Sequence, residues 1–406
     1  MRHLAIFLHD FSATGVVRNA IAIAAHMSAR EGWRVTLVAV RADGVMLDDA
    51  RASGAAVVSL LGSGARRGAR GGDRWVDMVR CVLLLRHWLK AVRPDGLLSA
   101  GNHGHLTVWA AVRGLADERR IYRISNDLHR RNDQRSIRAR ARQAVHRALE
   151  RDAWQVVLVS PGLAQQGVYA RAAAVGRARV IRNGVNIPRV RQLAGMPCDH
   201  PAFADDVPVV LGVGRLAKQK NFGALVAAVA LARQARPLRL VLLGDGSAGA
   251  RADLRAQADA LGLGDDFLLV PGCDNPFPFM ARAAVVALPS LWEGAPNVLL
   301  EAMACGRPVV AAHSAGSAAE ILDHGRYGVL TDPDDPSSMA QALLRQIDPE
   351  TRILPGDRVA AFSLAATLAA YADMFDTLPK CDDADDRDSV SVRAGVTQNR
   401  RTDRAA

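Results

Sequence analysis

Cysteine and aromatic residues are scarce in this sequence. Its 5 cysteines are scattered and form no CxxC pair, so neither a disulfide framework nor a structural zinc site is indicated, and a reducing cytosol fits best. Aromatic residues make up 5% of the chain, which argues against extensive stacking of single-stranded bases. HExxH, GxSxG and Walker A patterns are absent. The sequence therefore gives no sign of a zincin, an α/β-hydrolase or a P-loop nucleoside triphosphatase.

Long hydrophobic runs are also missing. No apolar segment reaches the roughly 20 residues that a bilayer-spanning helix needs. The N-terminal run Leu4–Leu8 is typical of a first strand rather than of a signal peptide, because Asp10 interrupts it early. We therefore expect a cytoplasmic protein that is soluble or lies on a membrane surface.

The chain is basic and long enough for two domains. It has 406 residues, of which 50% are hydrophobic and 23% charged, so it can bury two cores. Its 52 Lys and Arg outnumber 41 Asp and Glu, which gives a net charge of +11. This balance favours anionic partners such as nucleotide phosphates or phospholipid surfaces. Nucleic acid is not expected, because no nucleic-acid-binding module is recognisable.

Short apolar runs alternate with helical segments along the whole chain. This alternation predicts parallel sheets that are covered on both faces, and hence an α/β protein with two doubly wound, Rossmann-like domains that face a cleft. A polar, charged C-terminal segment without apolar periodicity predicts disorder. We predict a first domain at 1–187, a linker at 188–208, a second domain at 209–355, a last helix within 356–376 and a disordered tail at 377–406.

Two carboxylates stand in the apolar stretch 289–312. Glu293 lies in the loop before a predicted helix, and Glu301 lies within that helix. A buried carboxylate requires a partner, so Glu301 either forms a salt bridge, for instance with Arg307 or Arg215, or accepts hydrogen bonds from ligand hydroxyls. Amides at the start of the helix, over 294–298, would face an anion or a polar sugar.

Glycine-rich turns follow two predicted strands of the second half. The segment 212–217 matches the GxGxxA form of a dinucleotide fingerprint, although a lone match is weak. Because this loop presents Arg215 and Lys220, we interpret the two cations as a clamp for a diphosphate, whereas Lys218 fits a solvated surface. Gly244 stands in a second turn, where a tight connection and a ligand contact are equally compatible with the pattern.

Three further features leave alternatives open. His103 and His105 follow a strand of the first domain, where a structural and a catalytic role both remain possible. The DxD motif at 332–334 is more typical of a helix cap than of a metal site. The arginines of 134–151 indicate either a solvated basic helix or attraction to anionic lipid, worth about 1 kcal/mol per well-placed cation.

Several of these segments together resemble a known family. They are, in family order, VGRL at 213–216 with Lys220, LGDG at 243–246, PS at 289–290, EG at 293–294, EAMACGRPVV at 301–310, GRYGVL at 325–330 and DP at 335–336. In these motifs the chain is similar to the retaining glycosyltransferases of family 4, the glycosyl transferases group 1, which have the GT-B fold. The match is strongest over residues 209–340, and the first domain matches only in outline.

The resemblance implies a metal-independent, retaining hexosyltransferase with no cofactor. Its co-substrate would be a nucleotide-diphosphate sugar, linked to UDP or GDP, that lies mostly on the second domain. Arg215 and Lys220 would hold the diphosphate and stabilise its charge as it leaves. Glu293 would orient the donor sugar, and Glu301 would bind the ribose hydroxyls. The other substrate-binding residues that it implies are Gly15, His103, Asn126, Gly244, Gly294, Ala295, Pro296, Asn297 and Val298.

The first domain departs from the family pattern in two places. Thr14-Gly15-Val16 has one glycine where the family commonly has two adjacent ones. A close approach of the backbone to the donor phosphate is therefore less expected on this side of the cleft. The family histidine of this domain corresponds either to the region of Asn126 and Asp127, with His129 slightly later, or to Asn102-His103. The last helix is expected to cross back onto the first domain, as in the GT-B fold generally.

The function that follows is sugar transfer to a glycan or lipid-linked acceptor in cell-surface polysaccharide synthesis. It would take place at the inner face of the cytoplasmic membrane, with possible peripheral contact to anionic lipid. The alternative is a non-catalytic nucleotide-sugar-binding protein of the same fold. A dehydrogenase is a distant third, and it would have to bind NAD.

Overall fold

The chain folds into two α/β domains, each built on a parallel sheet. The structure is a computed structural model that describes residues 1–62, 71–115, 119–126 and 137–378. Asp127, His129, the predicted tail from residue 379 onward and the first residues of the predicted basic helix lie outside these ranges. Every strand pair in both sheets is parallel, which confirms the predicted α/β class.

Within the described residues, the first domain has seven strands in the order β3-β2-β1-β4-β5-β6-β7. The strands are β1 (Arg2–Leu8), β2 (Trp33–Ala39), β3 (Ala56–Ser59), β4 (Gly96–Ser99), β5 (Arg119–Ile124), β6 (Gln155–Leu158) and β7 (Ala178–Val180). The helices are α1 (Gly15–Ser28), α2 (Leu47–Ala52), α3 (Gly71–Val92), α4 (His105–Ala111), α5 (Ile137–Asp152), α6 (Pro161–Gln165) and α7 (Gly167–Ala174). The order reverses beside β1, and ligands bind at such a point in doubly wound sheets.

The second domain has six described strands in the order β10-β9-β8-β11-β12-β13. They are β8 (Val209–Val213), β9 (Arg239–Leu243), β10 (Phe267–Val270), β11 (Val285–Leu288), β12 (Val309–Ala312) and β13 (Val329–Thr331). The remaining helices are α8 (Ile187–Ala194), α9 (Phe222–Ala232), α10 (Ala248–Ala260), α11 (Phe277–Arg282), α12 (Asn297–Ala304), α13 (Ala318–Ile321), α14 (Pro336–Ile347) and α15 (Leu364–Asp376). Short 3-10 turns lie at Pro201–Phe203, Lys218–Lys220, Gly264–Asp266, Asp323–Gly325 and Gly356–Phe362.

The central strands of both sheets are short apolar runs that are buried on both faces. All four residues of β11 and of β12 are buried, as are six of the seven residues of β1. Helices cover both faces of each sheet, so these strands are continuous apolar runs in which apolar and polar residues do not alternate. The last helix, α15, packs against α1 and places Tyr371 and Phe375 in the core of the first domain. It is therefore part of that domain in space.

Two predicted boundaries are wrong. The segment 188–208 is not an open linker, because α8 and the turn Pro201–Phe203 pack on the second domain through Val190 and Ala202. The disordered tail does not begin at residue 377, because Leu378 is buried in the core of the first domain. No described helix is both long and apolar enough to cross a bilayer.

Candidate functional site

Two loops of the second domain meet at the edge that faces the first domain. They follow β8 and β11, which are neighbouring strands, so their ends lie side by side. The amide of Leu291 donates to the carbonyl of Gln219 at 2.9 Å, and Nε2 of Gln219 donates to the carbonyl of Trp292 at 2.9 Å. These bonds fix the turn that carries Lys220 against the loop that carries Glu293.

Lys220 and Glu293 form an ion pair. Nζ of Lys220 lies 2.7 Å from Oε1 of Glu293, and Oγ of Ser290 donates to the same carboxylate oxygen at 3.0 Å. The two charged side chains are 16% and 13% exposed, so the pair is neither fully buried nor freely solvated. Two of the predicted catalytic groups therefore contact each other directly, and a diphosphate would have to compete for Lys220.

Glu301 is paired across the two domains. Its Oε1 lies 3.1 Å from Nη1 of Arg18 on α1, so neither partner predicted for a structural salt bridge, Arg307 or Arg215, holds it. Burial raises the pKa of Glu301, and the charges of Arg18 and Lys220 oppose that rise. Sequence reasoning missed Arg18, although it follows Gly15 by three residues on the helix after β1, which places both on one helix face.

The N-terminal ends of α1 and α12 converge on this point. A Cβ added at Gly15 would lie 2.2 Å from Nδ2 of Asn297, so the two helix starts are in close approach. Asn297 and Glu301 are four residues apart on α12 and face Gly15 and Arg18, respectively. Neither helix has an acidic residue in its first turn. The positive ends of two helices thus lie close together, α1 being capped only by the neutral Thr14 side chain, an arrangement that favours an anion.

A cavity of about 480 Å³ lies between the domains beside these helices. Arg18 and Asn19 of α1 line one side, while Asn297 and Glu301 of α12 and Phe277 of α11 line the other. Arg215, Lys220 and Glu293 do not line it. The cavity therefore reaches the predicted ribose-binding group but not the predicted catalytic groups.

The loop after Glu293 is in contact with the first domain. A Cβ at Gly294 would lie 2.2 Å from the carbonyl oxygen of Ser125 and 2.8 Å from the amide nitrogen of Asn126, so a side chain there would strike backbone. Ala295 packs against the apolar core of the first domain. The predicted donor-sugar loop thus lies at the domain interface, close to Asn126, which sequence reasoning had also placed in the site.

The other predicted site residues have less specific surroundings. Pro296 directly precedes α12, and Val298 packs on the core of the second domain. A Cβ at Gly244 would lie 2.0 Å from the carbonyl oxygen of Gly214, so close backbone packing accounts for this glycine. Arg215 is exposed. Ion pairs between described residues do not include it.

His103 and the DxD motif are not assembled into a site. His103 is exposed in the loop after β4, beside the contact in which Oδ1 of Asn102 accepts from the Ser125 amide at 3.1 Å. The cap of α14 is Asp335, which accepts from the amides of Ser337 and Ser338, rather than the motif at 332–334. Across the described ranges, no group of three or more His, Cys, Asp or Glu side chains is arranged to hold a metal ion.

His105 is a structural residue of the first domain. It is buried, with Nδ1 2.7 Å from Oγ of Ser99 and Nε2 3.2 Å from the carbonyl oxygen of Arg123. Burial lowers its pKa to about 3. Burial likewise lowers the pKa of His3 and of His146 to about 4. The domain therefore folds around three neutral imidazoles.

We expect the first domain to lose stability in mild acid. The unfolded chain binds protons at these histidines with a pKa near 6.5, above the folded values, so the free energy of unfolding falls as pH falls from about 6.5 toward 4. The slope is at most about 1.4 kcal/mol per pH unit for each histidine. Thermal unfolding between pH 7.5 and 4.5 measures it. His146→Gln should flatten the slope, whereas His87→Gln, at an exposed position, should not; equal slopes in both variants would contradict the assignment.

A family model described as Glycosyl transferases group 1 matches residues 207–348. This range holds Arg215, Lys220, Glu293 and Glu301, and it covers all of the second sheet. The chain carries a glycosyl transferases group 1 domain. The resemblance to the glycosyl transferases group 1 that the sequence motifs indicate is thereby confirmed.

Curated relatives that match this part of the chain are named as glycosyltransferases. One relative is the N-acetylgalactosamine-N,N'-diacetylbacillosaminyl-diphospho-undecaprenol 4-alpha-N-acetylgalactosaminyltransferase of Campylobacter jejuni. The chain is 31% identical to it over 172 residues, and this matched segment makes up 42% of this chain and 45% of the relative. The chain is 31% identical over 233 residues to the lipopolysaccharide core biosynthesis glycosyltransferase LpsE of Rhizobium meliloti, which is 55% of this chain and 64% of the relative. The chain thus spans less than two thirds of either relative.

Solved structures share the fold over nearly the whole chain. Sucrose-phosphate synthase from Thermosynechococcus elongatus has a TM-score of 0.73 at 21% identity, covering 93% of this chain and 99% of its own. HepE of Anabaena, in complex with UDP and glucose, has a TM-score of 0.71 at 21% identity, covering 93% of this chain and 100% of its own. The group 1 domain therefore belongs to a two-domain GT-B fold, as the sequence predicted.

Proposed function

We propose that this protein is a glycosyltransferase that moves a sugar from a nucleotide-diphosphate sugar to a glycan or lipid-linked acceptor. The observation that carries the proposal is that the Lys220–Glu293 pair lies near enough for the charge of Lys220 to act on Glu301, which pairs with Arg18 across the two domains. A cation, two positive helix ends and two carboxylates suit a donor with both a diphosphate and sugar hydroxyls. The names of the relatives support cell-surface glycan synthesis as the setting.

Donor binding would replace both ion pairs of the site. The diphosphate would take Lys220 from Glu293, which frees the carboxylate to accept hydrogen bonds from the donor sugar. The ribose hydroxyls would take Glu301 from Arg18. Lys220, Glu293 and Glu301 would each exchange one polar partner for another, and Arg18, whose side chain is 35% exposed, would be released to the ligand or to solvent.

The transfer that we propose retains the configuration of the donor sugar. The bond from the anomeric carbon to the diphosphate oxygen breaks, and the acceptor oxygen bonds to the same face of that carbon. The acceptor's proton moves to the departing phosphate oxygen. Arg215, Lys220 and the helix ends would stabilise the negative charge that develops on the diphosphate, so the reaction would need no metal ion.

A panel of UDP-, GDP- and ADP-sugars tests the proposal. One donor should bind and be slowly hydrolysed, both with and without EDTA, and NMR should show that the first sugar released keeps the donor's anomeric configuration. Hydrolysis that requires a divalent cation would overturn metal independence, and an inverted sugar would overturn retention. Tight binding without turnover, with every acceptor glycan tried, would favour the alternative of a non-catalytic nucleotide-sugar-binding protein.

A further inference from the structure

A buried arginine of the first domain lies beside the cleft without a carboxylate partner. Arg123, in β5, is 2% exposed, and no ion pair in the described part of the chain includes it. Its Nη1 donates to the carbonyl of Ala100 at 3.2 Å, and its Nη2 donates to Oδ1 of Asn183 at 2.5 Å. A buried charge with neutral partners is costly, and an apolar side chain of similar size would pack there at less cost. Stability alone therefore does not account for Arg123.

The guanidinium of Arg123 fixes the orientation of two side-chain amides. Arginine has only hydrogen-bond donors, so the oxygen of Asn183 has to face it. The nitrogen of Asn183 then points the other way, and this Nδ2 donates to Oδ1 of Asn297 at 2.8 Å. Asn297 is the first residue of α12, so the bond joins the two domains. We call these three side chains, of Arg123, Asn183 and Asn297, the amide relay.

The last nitrogen of the amide relay is a free donor. Nδ2 of Asn297 lies beside Gly15, where an added Cβ would be 2.2 Å from it, and it donates to no group of the described chain. The first amides of α1 likewise lack acceptors within their helix, except that of Val17, which donates to Oγ1 of Thr14 at 3.3 Å. Donors from a side chain and from a helix start are thus collected at one place, where an anion would accept from them.

The opposite orientation of Asn297 would close this place. With its amide turned round, Oδ1 of Asn297 could accept from the free amides at the start of α1, as a capping side chain does, and it would occupy the position of an anion. The amide relay prevents this turn. Turning Asn297 would set its NH2 group against that of Asn183, and turning Asn183 as well would set an NH2 group against the guanidinium of Arg123.

We propose that Arg123 and Asn183 are positioning residues of the donor site, which present Nδ2 of Asn297 to the diphosphate as a hydrogen-bond donor. This inference rests on the proposed function and deepens it. Arg123 and Asn183 are both buried and act through Asn297 rather than by touching the donor. Their effect is to keep the starts of α1 and α12 open to a ligand anion.

Asn183→Asp separates positioning from folding. The carboxylate would pair with the buried Arg123, so the midpoint of thermal unfolding should not fall. Because a carboxylate cannot donate, it would accept from Nδ2 of Asn297 and turn Oδ1 toward α1. Affinity for the nucleoside diphosphate should therefore fall by about tenfold or more, the loss of one hydrogen bond to a charged group. Wild-type affinity in a variant of undiminished stability would overturn the proposal.

The matched control is Gln155→Glu, the same change from amide to carboxylate at another buried position of the first domain. Gln155 is 4% exposed at the start of β6, and its Nε2 donates to the carbonyl of Gly176 at 3.2 Å. The start of the strand lies at the edge of the sheet away from the cleft. Gln155→Glu should bind the nucleoside diphosphate like the wild type, and a loss equal to that of Asn183→Asp would overturn the specific role of the amide relay.

Two substitutions of Arg123 test the donor-only requirement. Arg123→Lys keeps a cation that can only donate, so its affinity should stay within about threefold of the wild type. Arg123→Gln can present an oxygen to Asn183 and should lose about tenfold. Equal affinities of the two variants would contradict the inference. In an Asn297→Ala background, neither Arg123→Gln nor Asn183→Asp should weaken binding further, and a further loss would show that they do not act through Asn297.

Calorimetric titration with UDP, GDP and ADP measures these affinities without any acceptor. A wild type that binds none of the three would overturn the proposed function and this inference together. A wild type that binds one of them as tightly as Asn183→Asp does would overturn this inference alone. The two proposals can therefore fail separately.

Discussion

Glu293→Ala is expected to lower the rate of sugar transfer by about 10³-fold while changing nucleotide affinity less than tenfold. Glu293 lies in the loop between β11 and α12. Its Oε1 is held by Nζ of Lys220 at 2.7 Å and by Oγ of Ser290 at 3.0 Å. The nucleotide, by contrast, would depend on Lys220 and Glu301, which the substitution leaves in place. Steady-state kinetics and calorimetric titration with the free nucleotide diphosphate measure the two effects.

Two further variants separate the chemistry of Glu293 from its structural contacts. Glu293→Gln keeps the shape of the side chain and can still accept from Ser290 Oγ, so it should fold normally and still lose most of the transfer rate. Asp253→Ala removes an exposed carboxylate of the same domain, on α10, and it should leave the rate unchanged. If turnover survived Glu293→Ala, the role assigned to this residue would be wrong.

The sheets and the close approach of two loops were predictable from local sequence. Each strand is a short apolar run followed by a turn, and in parallel sheets the loops after neighbouring strands share one edge. The motifs around Lys220 and Glu293 follow β8 and β11, which are such neighbours, and their side chains do meet. This part of the site depends on periodicity and topology, both of which a sequence shows.

The contacts between the domains were not predictable in the same way. Arg18 and Glu301 are 283 positions apart, and their pairing depends on how two separately folded units dock. The clash that a side chain at Gly294 would meet at Ser125 has the same origin. No local pattern encodes either contact. The sequence could suggest Arg18 only through its position one turn into the helix after the first strand.

The predicted bounds of the linker, at 188–208, and of the tail, from residue 377, differ from the structure because of features of the local sequence. Pro188 lies in the first turn of α8, where proline is tolerated because its missing N–H has no partner in a helix start. The turn-rich composition of 188–208 therefore indicated a linker where helix and 3-10 turn pack on a core. At the other end, the single residue Leu378 inserts beside Gly96, a contact too short to leave any periodic signal.

The charged side chains of the site form ion pairs but are still accessible to solvent. Sequence reasoning expected Arg215, Lys220, Glu293 and Glu301 to face one crevice, and mutual pairing would exclude ligand binding only if these groups were also sealed from solvent. Lys220, Glu293 and Glu301 are 13–16% exposed, Glu301 lines the cavity between the domains, and Arg215 is exposed. Each group therefore remains within reach of a ligand that can displace its partner.

Lys220→Ala is expected to lower the transfer rate by about 10² to 10³-fold, whereas Lys218→Ala should change it less than twofold. The two lysines are ends of one 3-10 turn and differ in surroundings. Lys220 is held in contact with Glu293 and packs its Cε near Gly214, while Lys218 is exposed. Comparable losses in both variants would show that general positive charge, rather than a positioned cation, supports the reaction.

A double-mutant cycle then decides what Lys220 does. If Lys220 served only to hold Glu293 in place, then Lys220→Ala combined with Glu293→Ala would be no slower than Glu293→Ala alone, because the interaction is already lost. If Lys220 also stabilises the departing diphosphate, the second substitution should lower the rate by roughly a further tenfold or more and weaken nucleotide diphosphate binding as well. Binding unaffected by Lys220→Ala, together with no further loss of rate, would remove Lys220 from the diphosphate site and leave Arg215 as its only side-chain cation among the residues assigned to it here.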